Sequence, residues 1–217
     1  TVENPIWDIR LFWGNAIFTR SCGASLIMYT AIYANVVLMS LYLQQIKLLS
    51  ATETGLLLMI QPISMAALSP VFGRLSDRIE PRILASAGMA VTALGLFLLS
   101  SLTAHSLLLN IGLALALTGV GFSLFSSPNT NAIMGSVDKK DYGSASGTAA
   151  TTRVLGQLSS MLVAFAMSLI VGDNVIDANN LPALEQSIQL SFSIAAAICL
   201  PGILLSISRG KLRPLST

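Results

Sequence analysis

The sequence predicts an all-α integral membrane protein of six transmembrane helices, on three observations: how few charges it carries, how they are bunched, and on which side of the spans they fall. Of 217 residues, 10% are charged and 53% hydrophobic, with mean hydropathy +0.74, whereas a soluble domain carries about a quarter charged residues. Lipid is the expected solvent. The bunching leaves uncharged runs from Ser21 to Ile46, Thr54 to Gly73, Ile83 to Val137, Val154 to Gly172 and Gln186 to Ser208. A helix needs about 20 apolar residues, each rising about 1.5 Å, to cross roughly 30 Å of hydrocarbon. Every run suffices, and the third is too long for one helix; the polar stretch SLTAHS at 101–106, with the only histidine, divides it.

Spans are expected at about 21–43, 54–73, 83–103, 107–127, 147–171 and 186–207, between a cytoplasmic linker at 1–20 and a basic cytoplasmic tail at 209–217. They sort the cations by side. Arg10, Arg20, Arg74, Arg78, Arg82, Lys139, Lys140, Arg209, Lys211 and Arg213 share one side, and Lys47 alone holds the other. By the positive-inside rule both ends of the chain are cytoplasmic, in a multi-pass membrane protein. The net charge of +2 therefore points to lipid headgroups and to topology, and no nucleic acid is expected as a partner. Cys22 and Cys199 fall inside spans as small apolar side chains, so no disulfide framework, metal site or cofactor is expected. The opening TVENPIWDIR has no apolar core of a signal peptide and no initiator Met, and reads as the cytoplasmic end of a longer chain.

Each element has its own signals. Span one sets Met28, Asn35, Met39 and Tyr42 close to one helical stripe, with Tyr29 and Tyr33 on another. Span two holds Gln61 and, one turn on, Met65; Gln61 is its only strongly polar deep side chain. The dense charges of PVFGRLSDRIEPR at 70–82 belong in a short loop, because Asp, Lys or Arg at mid-membrane costs roughly 2.5–3.5 kcal/mol. Pro81 suits the first turn of span three. In span four Pro128 removes the helical donor to Leu124, so the helix should kink, break or end there, with Ser126, Ser127, Asn129 and Asn131 able to satisfy freed backbone groups. Span five carries Gly147, Ala149, Ala150, Gly156, Ser159 and Ser160, which let helices approach closely. Its Arg153 can snorkel, pair with carbonyls freed at Pro128, or touch substrate. No Asp or Glu lies within a span: Glu53 and Glu185 stand at external ends, Asp173 and Asp177 in the external loop.

GRLSDR at 73–78 resembles the GxLxDR signature of the major facilitator superfamily, which that family carries on the cytoplasmic loop between the second and third spans of each half. The stretch from Gly121 to Ser160 resembles spans four and five of the C-terminal half of its fourteen-span drug:proton antiporters, with Gly143, Ala145, Ser146, Gly147, Arg153 and Gly156 matching and Tyr142 departing. ENPIWDIRLF resembles the connection before the last six spans of that group. The resemblance implies one C-terminal half built from two inverted three-helix repeats, with a missing N-terminal half as partner, in the plasma (inner) membrane. It implies a conformational-switch loop of Gly73, Arg74, Asp77 and Arg78, whose Asp caps a helix of the opposite half. Glu80 departs from the family's Gly at that turn, which therefore differs locally or carries strain.

Since the first and fourth spans of a half line the cavity in that family, the candidate cavity residues are Met28, Asn35, Met39, Gln61, Met65, Arg153 and Gln157. Pro128, Gly147 and Gly156 are the candidate helix-break and packing positions. The implied function is secondary active transport, proton-coupled export of drugs or other lipophilic small molecules by alternating access, with coupling carboxylates in the other half. Uptake of a small metabolite is the alternative, followed by a membrane enzyme or scaffold. An enzyme would need reactive groups gathered at one face, and the sequence shows no such cluster. A parallel homodimer of one half is geometrically possible, but a longer chain is the expectation.

Overall fold

A computed structural model describes residues 13–171 and 181–210, for 163–171 the backbone alone. The linker residues up to 12, Asp173, Asp177 and the tail from 211 lie outside the described residues. Among the described residues there is no strand. The helices are α1 (Ala16–Ile46), α2 (Ala51–Ser76), α3 (Pro81–Ser100), α4 (Leu108–Gly135), α5 (Tyr142–Val171) and α6 (Leu181–Ser208). All but α5 are found long and apolar enough to cross a membrane, and α5 is a 30-residue helix.

Several helices overrun the expected spans because polar groups cap them beyond the apolar run. Ser50 accepts from Glu53 N and Glu53 returns a bond to Ser50 N, a capping box that starts α2. Pro81 occupies the first turn of α3. Glu80 takes φ −53°, and among the described non-glycine residues only Leu48 has a positive φ, so the turn that departs from the family pattern is built without a left-handed residue.

Pro128 does not end α4. The helix continues to Gly135 with Pro128 buried inside it. The lost backbone bond is outweighed by what the last two turns of α4 hold. Asn129 Nδ2 donates to Ser21 O at 3.1 Å and to Ser25 Oγ at 2.8 Å, and Asn131 Nδ2 donates to Ser76 Oγ. These two amides tie α4 to α1 and α2 and do not serve carbonyls freed by the proline. Pro70 and Pro201 likewise lie inside α2 and α6.

The core has a seam of small residues. α4 packs on α2 and α3, α6 on α1 and α3, and α5 on α1. At the α3–α4 crossing a Cβ on Gly88 would sit 2.5 Å from Phe125 N and 2.7 Å from Gly121 O. Backbone touches backbone there, the arrangement by which helices gain contact in lipid without a hydrophobic driving force.

Polar clasps close both ends of the bundle. At one end Lys47 Nζ donates to Ala104 O at 2.7 Å and to Ser106 O. Tyr42 Oη donates to Thr103 O, Gln189 Nε2 to Leu102 O, and Glu185 accepts from Ala104 N. The one cation predicted for the outer side thus holds the α3–α4 turn. At the opposite end Arg209 is 2% exposed, its Nη1 donating to Ser21 Oγ at 3.1 Å and to Asn129 Oδ1 at 2.6 Å. Arg20 donates to Ser208 O and Asn15 to Ser136 O, so α1, α4 and α6 meet on one cationic knot.

Candidate functional site

A cavity of about 550 Å³ opens between α1, α2, α4 and α5, within the range of roughly 300–1,000 Å³ usual for small-molecule sites. α3 and α6 contribute nothing to its wall, which carries Tyr29, Tyr33, Gln61, Met65, Phe122, Arg153 and Gln157 among apolar neighbours. Among the described residues the wall contains no Asp or Glu.

Its polar features are positioned by packing. A Cβ on Gly156 would meet Tyr29 Cβ at 2.7 Å and Leu26 O at 2.8 Å, so the glycine lets α5 press directly on α1. One turn earlier on α5, the Arg153 guanidinium carbon stands 5.4 Å from the centroid of the Tyr29 ring, within cation–π range. Tyr29 meets Phe122 edge to face at 5.4 Å and 78°, the favoured aromatic geometry. On the α2 side Asn35 Nδ2 donates to Gln61 Oε1 at 2.7 Å. The helical run of α1 turns at Tyr33–Ala34, and the Ala34 N–H finds Ser160 Oγ at 2.8 Å. That break lies beside the cavity, where a polar partner from α5 replaces the missing helical one.

Four of the seven candidate cavity residues, Gln61, Met65, Arg153 and Gln157, line this space. Met28 and Met39 do not: both are fully buried in the core, Met28 with Met89 and Phe125, Met39 with Leu43 and Leu96. Asn35 is 1% exposed and reaches the cavity only through Gln61. The other stripe, Tyr29 and Tyr33, faces the cavity instead. An apolar Met in a membrane helix carries no signal that separates core from cavity, since lipid, core and cavity all accept it.

The switch-loop residues gather elsewhere, at the end of the bundle that holds Arg209. Gly73 and Arg74 lie in the last turn of α2, and Asp77 caps its C-terminus, with Arg78 in the following turn. The helix thus reaches into what the sequence predicts as loop. A Cβ on Gly73 would stand 3.2 Å from Ser127 Oγ, and buried Ser76 bonds Asn131, so this turn docks on α4. Asp77, Arg74 and Arg78 stay exposed. A carboxylate at a helix C-terminus opposes that helix's own dipole.

Gly147 is half-buried and Pro128 buried. Arg209 was not among the sequence candidates, because its place in a basic tail hides its burial. Asn129, a strongly polar residue in an apolar helix, was the available sign that a partner existed. Burial pushes the Arg209 guanidinium down to about 10, with Glu80 opposing and Arg82 reinforcing the shift. Its folded value lies below that of a free guanidinium, so charging it costs the folded state its full penalty at every pH below about 10, and the penalty fades only as pH rises above that value. Across the physiological range the group stays charged and adds no pH dependence.

The family model of the Major Facilitator Superfamily matches residues 21–214. The transporter YebQ of Escherichia coli is 35% identical over 158 residues, 73% of this chain and 35% of its own length. The riboflavin transporter RibZ of Clostridioides difficile is 28% identical over 208 residues, 94% of this chain and 45% of its own. The multidrug resistance protein Stp of Mycobacterium tuberculosis is 30% identical over 155 residues, 71% of this chain and 28% of its own. The chain spans less than half the length of each of these relatives.

Proposed function

The chain belongs to the major facilitator superfamily, and from that membership we propose that it forms the C-terminal six-span half of a secondary active transporter exporting drugs or other lipophilic small molecules in exchange for protons. Two such halves rock about a midplane site in alternating access. The observation that carries the reading is the division of labour among the helices. α1 and α4, like α2 and α5, line the cavity, while α3 and α6 pack together away from it. Two inverted three-helix repeats would produce that pairing.

The cationic end with Arg74, Arg78 and Arg82 is cytoplasmic on this reading, and the Lys47 clasp external. Asp77 then meets a helix N-terminus of the other half, an interaction worth about 0.3–2 kcal/mol that is lost when the halves part. The cavity wall offers no carboxylate, so the group that takes up and releases the proton belongs to the other half. The names of Stp and of the lincomycin resistance protein LmrB of Listeria innocua favour drug efflux. RibZ, aligned over 94% of this chain, favours movement of a planar metabolite as the second reading.

The full transporter, reconstituted in vesicles, tests this through substrate-dependent proton release. The expected result is release on adding an exported dye, with Asp77→Asn slowing flux about tenfold while binding persists. Full-rate transport by Asp77→Asn would remove the switch role, and absence of proton movement across a broad dye panel would remove the exporter.

A further inference from the structure

We propose that Arg153, laid over Tyr29, is a specificity-determining residue that makes this half of the cavity select planar aromatic anions over lipophilic cations. This rests on the reading of the cavity as the transport site and deepens it.

The first ground is charge. Among the described residues Arg153 is the one charged side chain lining the cavity, and its guanidinium, without a hydrogen-bond or ion-pair partner among them, lies against the Tyr29 ring. Near lipid an arginine without a carboxylate is normally paired by something, and a planar guanidinium matches a carboxylate, sulfonate or phosphate with two parallel bonds. A cationic ligand in the same space would meet a like charge instead.

The second ground is the polarity of the remaining groups. Asn35 occupies Gln61 Oε1, so Gln61 offers the cavity its amide N–H groups. Together with Arg153, which only donates, these make a donor-rich wall suited to an acceptor-rich ligand. The third ground is shape. Tyr29 and Phe122, locked edge to face, give an aromatic floor for a flat ring, and Gly156 fixes Tyr29 against α5 within one turn of Arg153. A flat anion would pair with the guanidinium while its ring meets the floor.

The test uses two dyes with one xanthene core and opposite charge, fluorescein and rhodamine 6G, titrated by fluorescence anisotropy against the purified full-length transporter. Fluorescein is expected to bind about tenfold more tightly than rhodamine 6G. Arg153→Gln should abolish that preference, Arg153→Lys should keep part of it, since charge remains and the planar fork does not, and exposed Lys140→Gln should leave it intact. Thermal unfolding of each variant controls for folding, the lysine variant carrying the test if the glutamine variant is unstable. Equal or tighter rhodamine binding, or a preference that survives in folded Arg153→Gln, overturns the proposal while leaving the transporter reading standing. Failure of both dyes to bind folded protein or to move across vesicles overturns both.

Discussion

Replacing Gly121 with valine is expected to abolish folded protein: expression in the membrane should fall several-fold, and what survives in detergent should aggregate. A Cβ at Gly121 would stand 2.5 Å from Thr92 N and 2.8 Å from Gly88 O. Both are backbone atoms, which cannot rotate aside as a side-chain end can. Overpacking ordinarily costs about 1–3 kcal/mol, and separating two whole helices at their closest point exceeds that range. Gly88→Ala, which meets the same seam from α3, should behave alike. Gly143→Ala is the control, since nothing lies within 4 Å of its Cβ, and it should change stability by no more than about 1 kcal/mol. Size-exclusion profiles and thermal unfolding in detergent read all three.

The second large effect belongs to Arg209. Arg209→Ala should lower stability by about 3 kcal/mol, because it opens a cavity and strands Asn129 Oδ1 and Ser21 Oγ away from water. Arg209→Met should cost less, since it fills the space and removes a charge whose burial is itself unfavourable. The double change Arg209→Met with Asn129→Leu should recover only part of the loss, because Asn129 Oδ1 is removed together with its donor while the buried Ser21 Oγ and Ser25 Oγ still lose a partner. A double variant as unstable as Arg209→Ala would mean that the knot acts through some other contact. Since this guanidinium stays charged well above neutral pH, the ranking should not change between about pH 6 and 9.

The architecture was largely legible because lipid leaves the chain few options. Charges had to stand at helix ends, so Arg74, Arg78, Lys47 and Glu185 marked the turns, and Pro81 fixed the start of α3. What composition could not reveal was rotation about each helix axis. In a soluble protein polarity distinguishes core from surface; in a membrane helix Met28, Met39, Tyr29 and Tyr33 are acceptable on either side, and the close approach of α5 at Gly156, against Tyr29, is a tertiary contact that composition does not show. The same limit hid the continuation of α4 past Pro128. The local cost of a proline is readable, whereas Asn129 reaching Ser21 and Ser25 across 104 to 108 residues of chain is not. Arg209 is hidden for a related reason: a cation after the last span reads as an interfacial anchor until Ser21 of α1 and Asn129 of α4 are placed beside it.

On the proposed reading the face bearing Tyr29, Gln61, Arg153 and Gln157 is a water-reached substrate cavity. Cysteine labelling at Gln157 tests it most directly, and the native thiols interfere little, since Cys22 is 2% exposed and Cys199 fully buried. In the reconstituted full-length transporter, Gln157→Cys should react with a water-soluble maleimide and be protected by bound substrate, whereas Leu94→Cys, on the exposed face of α3, should stay unreactive. A Gln157→Cys no more reactive than Leu94→Cys, or one that substrate never protects, would contradict the cavity.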